Sequence, residues 1–251
     1  MAGVEGRVAL VTGAGRGIGR ETAELLASRG ARVMCVARSE QELAKVGLDY
    51  IAADLGTVEG CALAVSQTEQ RLGPIEVFIC NHGIGSAHER VIWEQDVAAW
   101  NNTMRINLDG PFHLSRLIVK SMVERGYGRV VYTSSTAADI AEYAGAAYNT
   151  SKLGLLGLMR SVSQDAGEFN VTSNAVLPGW VHTAMADRSA RAEAEARGIT
   201  ADEVWEERAA LYAPGRVATP REVAVMIAFF ASEESSGVSG QAVKVALGAN
   251  S

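Results

Sequence analysis

Short, nearly uninterrupted apolar runs alternate along this chain with helical stretches. The apolar runs are Arg7–Thr12, Arg32–Ala37, Tyr50–Ala53, Ile75–Cys80, Arg129–Ser134, Asn170–Val176 and Ala242–Val245. None shows the in–out alternation of a sheet wet on one side, so they predict strands covered on both faces. Helices are predicted over Ile18–Ser28, Thr57–Leu72, about Ala99–Glu124, Ala147–Ala166 and Pro220–Ala231. Pro111 falls inside the long one, and its missing N–H predicts a kink or local break there. Strand–helix alternation on this scale implies parallel βαβ units with right-handed crossovers, a doubly wound, Rossmann-like α/β sheet. Sheets of this kind bind ligands beyond the carboxyl ends of their strands.

The rhythm fails from Ala184 to Ala213, where two charged, Ala-rich helical stretches run in series. The second opens with the capping-box pattern Thr200-Ala-Asp-Glu203. An insertion just past a strand's carboxyl end is where a lid over a substrate is built, so residues 184–213 are read as a lid. No internal repeat or linker interrupts the chain, and 251 residues suit a single domain spanning 1–251.

Composition narrows the function. A net charge of −6 disfavours a nucleic-acid or anionic-membrane surface, which needs clustered Lys and Arg. Cys35, Cys61 and Cys80 have no metal-like spacing, and an odd number cannot fully pair, so a reducing cytoplasm is expected. No metal cluster presents itself. No apolar run approaches a membrane span, and no signal peptide opens the chain. His82, His88, His113 and His182 have no matched nucleophile, which excludes a Ser-His-Asp site.

Chemistry enters with the turn Thr12-Gly13-Ala14-Gly15-Arg16-Gly17-Ile18-Gly19, which follows the first strand and opens a helix. Its glycines let the backbone approach a pyrophosphate at a helix N-terminus, where free N–H groups and the dipole favour anions. Downstream, Tyr148 and Lys152 are four residues apart and share a helix face, with Ser135 thirteen positions before the tyrosine. A tyrosine with a pKa of about 10 is a poor acid/base near neutrality. One cation at about 4 Å, in an effective dielectric near 20, supplies the roughly 4 kcal/mol that lowers it by three units. Lys152 is the expected source of that cation.

With its Thr-Gly-x-x-x-Gly-x-Gly turn, the chain resembles the short-chain dehydrogenase/reductase family from about Arg7 to Gly248. The resemblance implies hydride transfer between a nicotinamide and a carbonyl or secondary alcohol. Tyr148 is then the acid/base, Ser135 (selected over Ser134 by the family's spacing) an oxyanion donor, and Lys152 the partner of Tyr148. Asn107 matches the asparagine that holds a water in a proton relay behind the lysine. The cofactor set is Gly13, Gly15, Arg16, Gly17, Ile18, Gly19, Arg38, Asp54, Leu55, Asn81, Gly83, Tyr148, Lys152, Pro178, Gly179, Val181 and Thr183. Asp54-Leu55 resembles the adenine contact. Pro178-Gly179-Trp180-Val181-His182-Thr183 resembles the segment around the nicotinamide. His82 departs from the family's Asn-Ala-Gly, and Ala246-Leu247-Gly248-Ala249 from its Val-Asp-Gly-Gly.

An NAD-binding sheet places an acidic residue after the second strand; here Arg38 stands there, with Arg16 as a second cation. A guanidinium suits a 2′-phosphate, so NADP(H) is the expected cofactor. Ile140, Tyr143, Trp180 and Met185 suggest an apolar substrate chamber. Three alternatives stay open: a 3-oxoacyl-carrier-protein reductase, an NAD-preferring alcohol dehydrogenase, and a non-catalytic NADP(H)-binding protein. For the first, Arg129 suits docking of an acidic carrier, while Glu168-Phe169-Asn170 offers no basic partner. The apolar recurrence of Ile106, Leu108, Phe112 and Leu117, and of Leu153, Leu155, Leu156 and Leu158, implies a homo-oligomer, dimer or tetramer.

Overall fold

The protein is described by a computed structural model covering residues 3–85 and 90–249; His88 lies outside the described residues. Seven strands form one sheet: β1 (Val8–Thr12), β2 (Arg32–Ala37), β3 (Asp49–Ala52), β4 (Val77–Cys80), β5 (Gly128–Thr133), β6 (Val171–Pro178) and β7 (Ala242–Val245). Their order is β3-β2-β1-β4-β5-β6-β7, with every neighbouring pair parallel. Strands β1, β4, β5 and β6 are buried along their whole length, as apolar runs without alternation require. The order reverses between β1 and β4. That switch point opens a crevice at the carboxyl edge.

Helices cover both faces. On one, α1 (Gly17–Ser28) and α9 (Pro220–Phe230) bring Leu26, Val223, Ile227 and Phe230 against Val11, Cys35 and Ile79. On the other, α3 (Val58–Leu72), α5 (Gly110–Arg125) and α6 (Ala146–Ala166) bring Ala64, Leu114, Ile118 and Met159 against Leu10, Phe78 and Tyr132. A short α2 (Glu40–Ala44), capped by Ser39, follows β2. Five residues are too few to show a helical period in the sequence.

The long helix expected over Ala99–Glu124 is divided. α4 (Val97–Met104) runs into a π-turn, Arg105–Asp109, and α5 begins at Gly110. Pro111 has no N–H for the carbonyl of Asn107 four residues back, so the irregularity lies immediately before the proline. Leu155 and Leu156 belong to the core under the sheet and Ile106 is buried, which accounts for much of the apolar recurrence on these two helices. Leu108, Leu117 and Leu158 are partly buried against that core; Phe112 and Leu153 stay open to solvent.

Residues 184–210 form α7 (Ala184–Arg197) and α8 (Ala201–Ala210), the latter opened by the Thr200/Glu203 capping box. Arg208 of α8 is buried and ties the pair together through Glu193 (2.8 Å), Ser189 and the carbonyl of Ala186 (both 3.2 Å).

At the opposite, amino edge of the sheet, the guanidinium groups of Arg7 and Arg129 lie over the Tyr127 ring, at 3.9 and 4.6 Å from its centre. Glu233 bridges both, at 3.0 Å from Arg129 and 3.2 Å from Arg7. Arg129 has no exposed surface, and it also donates to the carbonyls of Gly128 and Asn170. The expectation that Arg129 docks an acidic carrier is therefore overturned: its charge is already consumed inside the fold.

Candidate active site

Three loops meet at the switch point, and β1 organises them through one hydroxyl. Thr12 donates to the carbonyl of Ile79 (3.1 Å) and accepts from the backbone N–H groups of Asn81 (2.9 Å) and His82 (3.2 Å). Asn81 Nδ2 donates to the Thr12 carbonyl at 3.3 Å. The glycine turn is thereby fixed against the loop after β4. Gly13 has a φ of +66°, and a Cβ there would lie 2.9 Å from the backbone of His82. A Cβ at Gly19 would lie 2.2 Å from the Gly13 carbonyl oxygen, so only glycine lets α1 start so close to the turn. The cap of α1 is Arg16, which offers no side-chain hydrogen bond, and no acidic residue lies in the first turn. This open, positive helix start with a bare backbone cradle fits the pyrophosphate of a dinucleotide. Thr183, the N-cap of α7, faces Gly17, and a cleft of about 400 Å³ runs between Arg16, Gly17, Thr183, Ala184 and Pro220.

Beyond the ends of β2 and β3, Leu55 is buried and Asp54 is exposed. The Asp54 carboxylate accepts from Gly56 N (3.0 Å) and faces Arg105 at 3.4 Å; these contacts, with nearby Arg38, hold its pKa below the usual range. Arg38 is exposed at the end of β2. Arg16 is not a free second cation: its Nη1 lies 2.9 Å from Glu42 Oε1.

Ser135, Tyr148 and Lys152 come together beyond the end of β5. Ser135 caps a single 3₁₀ turn, accepting from Ala137 N at 3.1 Å, and shares a hydrogen bond with Tyr148. The neighbouring Ser134 instead donates to the Lys152 carbonyl at 2.8 Å, so its hydroxyl is occupied by α6. The two serines are separated by the strand's alternation, which sends adjacent side chains to opposite sides.

The electrostatics differ from expectation. Tyr148 is half-buried as a residue, yet desolvation of its hydroxyl raises its pKa to about 12, against an opposing hydrogen bond from Ser135. Lys152 does not offset this. Its ammonium donates to the Thr133 carbonyl at 3.1 Å and sits 5.6 Å from the centre of the tyrosine ring. Burial brings the lysine's own pKa down to about 8. A cation bound to a strand carbonyl, and losing its proton at lower pH, is a weaker perturber than the fully charged neighbour assumed from the i, i+4 spacing.

Asn107 is buried in the π-turn. Its Nδ2 donates to the carbonyl of Ile84 (2.9 Å) and to Ser151 Oγ (3.1 Å), while its Oδ1 accepts from Ile84 N at 2.8 Å. The side chain thus clamps the loop after β4 onto α6. A Cβ at Gly83 would come within 3.2 Å of Asn107 Oδ1 and 3.4 Å of Lys152 Nζ, so this loop passes directly over both. His82 packs beneath it, with Nδ1 2.9 Å from Thr12 Oγ1 and Nε2 buried. Desolvation, with Lys152 nearby, lowers its pKa to about 3.

After β6, Pro178 ends the strand and Gly179 N donates to Val245 O at 3.3 Å. A Cβ at Gly179 would lie 2.4 Å from the Tyr212 hydroxyl, which accepts from Trp180 N at 2.6 Å. Val181 bridges to Ala218. Arg208 lies 3.5 Å over Trp180, and His182 stacks at 4.1 Å on Trp205, joining this segment to α8. Ile140, Tyr143 and Met185 are exposed at the mouth. Arg208 and Glu42 escaped the sequence reading. Both look like solvated helix charges, and only the tertiary contact distinguishes them.

The chain belongs to the short-chain dehydrogenase family, whose model matches residues 7–194. The 3-oxoacyl-[acyl-carrier-protein] reductase of Vibrio cholerae is 32% identical over 252 residues, covering 96% of each chain. The short-chain reductase protein NovJ of Streptomyces niveus is 35% identical, covering 95% of this chain and 92% of that one. A variant of the actinorhodin polyketide ketoreductase, solved with NADPH, superimposes with a TM-score of 0.89 at 31% identity, covering 99% and 98%. The protein is thus an oxidoreductase of this family, built to use a nicotinamide cofactor.

Proposed function

We propose that the protein is an NADP(H)-dependent oxidoreductase that interconverts a small-molecule ketone and a secondary alcohol. The convergence of Ser135, Tyr148 and Lys152 beside the glycine turn carries this reading. Arg38, standing where an acidic ribose ligand would otherwise be, supports the phosphorylated cofactor. The nicotinamide supplies or accepts the hydride when bound. With its pKa near 12, Tyr148 carries its proton throughout the neutral range and gives it from the hydroxyl to the developing alkoxide. Ser135 donates to the same oxygen as its charge grows. Lys152, held by Thr133, presents positive charge behind the tyrosine and orients the cofactor's ribose. Asn107 keeps the loop after β4 in register with both groups. Helices α7 and α8 serve as the lid over an apolar substrate, and the two faces of the single sheet form one domain.

A second reading, reduction of 3-oxoacyl groups on a carrier, is favoured by the Vibrio cholerae relative. It needs a docking residue other than Arg129. The three described cysteines are free and buried, which supports a reducing, cytoplasmic setting.

The test is Tyr148→Phe, assayed by NADPH consumption against a panel of aliphatic and cyclic ketones. The ring keeps its packing and loses only the hydroxyl, so reduction should fall by at least a hundredfold while NADPH binding is retained. Substantial turnover in a variant with native circular dichroism would leave the mechanism without its acid.

A further inference from the structure

Beyond the two arginines, the adenosine end of the crevice holds a third charge. Ser39 Oγ accepts from Glu42 N at 3.3 Å, so the capping of α2 places Glu42 directly over the glycine turn. The absence of a side chain at Gly15 permits this, because a Cβ there would lie 3.0 Å from Glu42 Cβ and 3.4 Å from Glu42 Oε2. From that position the carboxylate holds Arg16 at 2.9 Å. Both side chains retain access to water, at 47% for Arg16 and 35% for Glu42, so a ligand's anion can compete for the pair.

We infer that Glu42 is a specificity-determining residue: it competes with the ribose 2′-phosphate for Arg16 and so restrains the preference for NADP(H) that Arg16 and Arg38 create. The inference rests on the NADP(H) reading. A phosphate dianion entering here must take the guanidinium from a carboxylate. The released carboxylate then remains packed on Gly15, beside the guanidinium that the phosphate has taken, where like charges repel. NAD(H), with a neutral hydroxyl at the same place, leaves the Arg16–Glu42 pair intact. The outcome is a site with the cations of an NADP(H) enzyme and a built-in tolerance of NAD(H).

The experiment measures dissociation constants of NADPH and NADH by titration calorimetry for the wild type and for Glu42→Gln. Removing one charge near a dianion at a water-exposed site should tighten NADPH about tenfold, or about 1.4 kcal/mol, and change NADH less than about twofold. Glu42→Ala should repeat the effect, and circular dichroism confirms that each variant is folded. Unchanged or weakened NADPH binding in both variants overturns the inference. So does a weakening of NADH, because Glu42 would then be bonding the ribose hydroxyls. The wild-type preference is read separately: tighter NADH than NADPH in the unmodified protein refutes the NADP(H) reading itself, whatever Glu42 does.

Discussion

Lys152 is a cation kept where water is nearly excluded, and that placement has a calculable cost. The side chain is buried, its acceptor among the described residues is the Thr133 carbonyl, and its pKa falls from 10.5 to about 8. At 1.36 kcal/mol per pKa unit, keeping the charge at neutral pH costs the fold about 3 kcal/mol relative to a solvated lysine. Lys152→Met retains a flexible stem of similar length and removes the charge. It forfeits one hydrogen bond from a charged donor to Thr133, about 2 kcal/mol. The variant should therefore be more stable than the wild type at pH 7, by about 1 kcal/mol. The sign reverses with pH. Between about 8 and 10.5 the unfolded lysine binds its proton more tightly than the folded one, so wild-type stability climbs through that window. By pH 10.5 the gap should have closed or inverted. Urea unfolding of both proteins at pH 7, 9 and 10.5 measures this, and ketone reduction by the variant should be nearly lost. A variant less stable than the wild type at pH 7, by the same margin at all three pH values, would refute the assignment of a desolvated charge. A stable, inactive variant is the signature of stability given up for function.

His82 offers the opposite pH limb. Its folded pKa of about 3 lies below the ordinary 6.5, so the unfolded chain takes the proton first on acidification and stability falls from about pH 6.5 toward 3. His82→Ala should flatten that decline by up to about 1.4 kcal/mol per pH unit in urea midpoints at pH 7, 5.5 and 4.5; parallel curves would show that the ring is not desolvated. For assembly, Phe112 and Leu153 remain 48% and 54% exposed on α5 and α6, which we take as a face closed by a second copy. Light scattering at micromolar concentration should give a multiple of 26.5 kDa, and a monomeric mass would remove the proposal.

Much of the fold is legible because the strands are covered on both faces and so appear as continuous apolar runs. The glycine turn is legible for a related reason, since close backbone approach admits no other residue at Gly13 or Gly19. The i, i+4 rule places Tyr148 beside Lys152 but says nothing about where the lysine's ammonium points. The Thr133 carbonyl, an acceptor supplied by another element, draws it away from the phenol. Arg129 fails in the same manner. In sequence it is a charge at a strand's start; in the fold, the adjacent Tyr127 ring and two distant groups, Asn170 and Glu233, close over it. Sequence periodicity reports which face of an element is buried. It does not report which polar groups from elsewhere meet there.

That enclosed arginine bears on how the molecule comes apart. Strand β7 is a half-buried edge of the sheet, and by burial alone it would open at little cost. Glu233, shortly before it in the chain, is bonded to Arg129 and to Arg7, residues 104 and 226 positions away. Peeling the C-terminal segment from the sheet therefore strips a counter-charge from a fully enclosed guanidinium, a loss that leaves a buried charge uncompensated. It also removes one of two carboxylate partners of Arg7, at the threshold of the central strand β1, leaving Glu76 as the other. The first and last strands should therefore exchange their amide hydrogens together, and exchange of β7 far faster than β1 in native-state hydrogen exchange would refute that coupling.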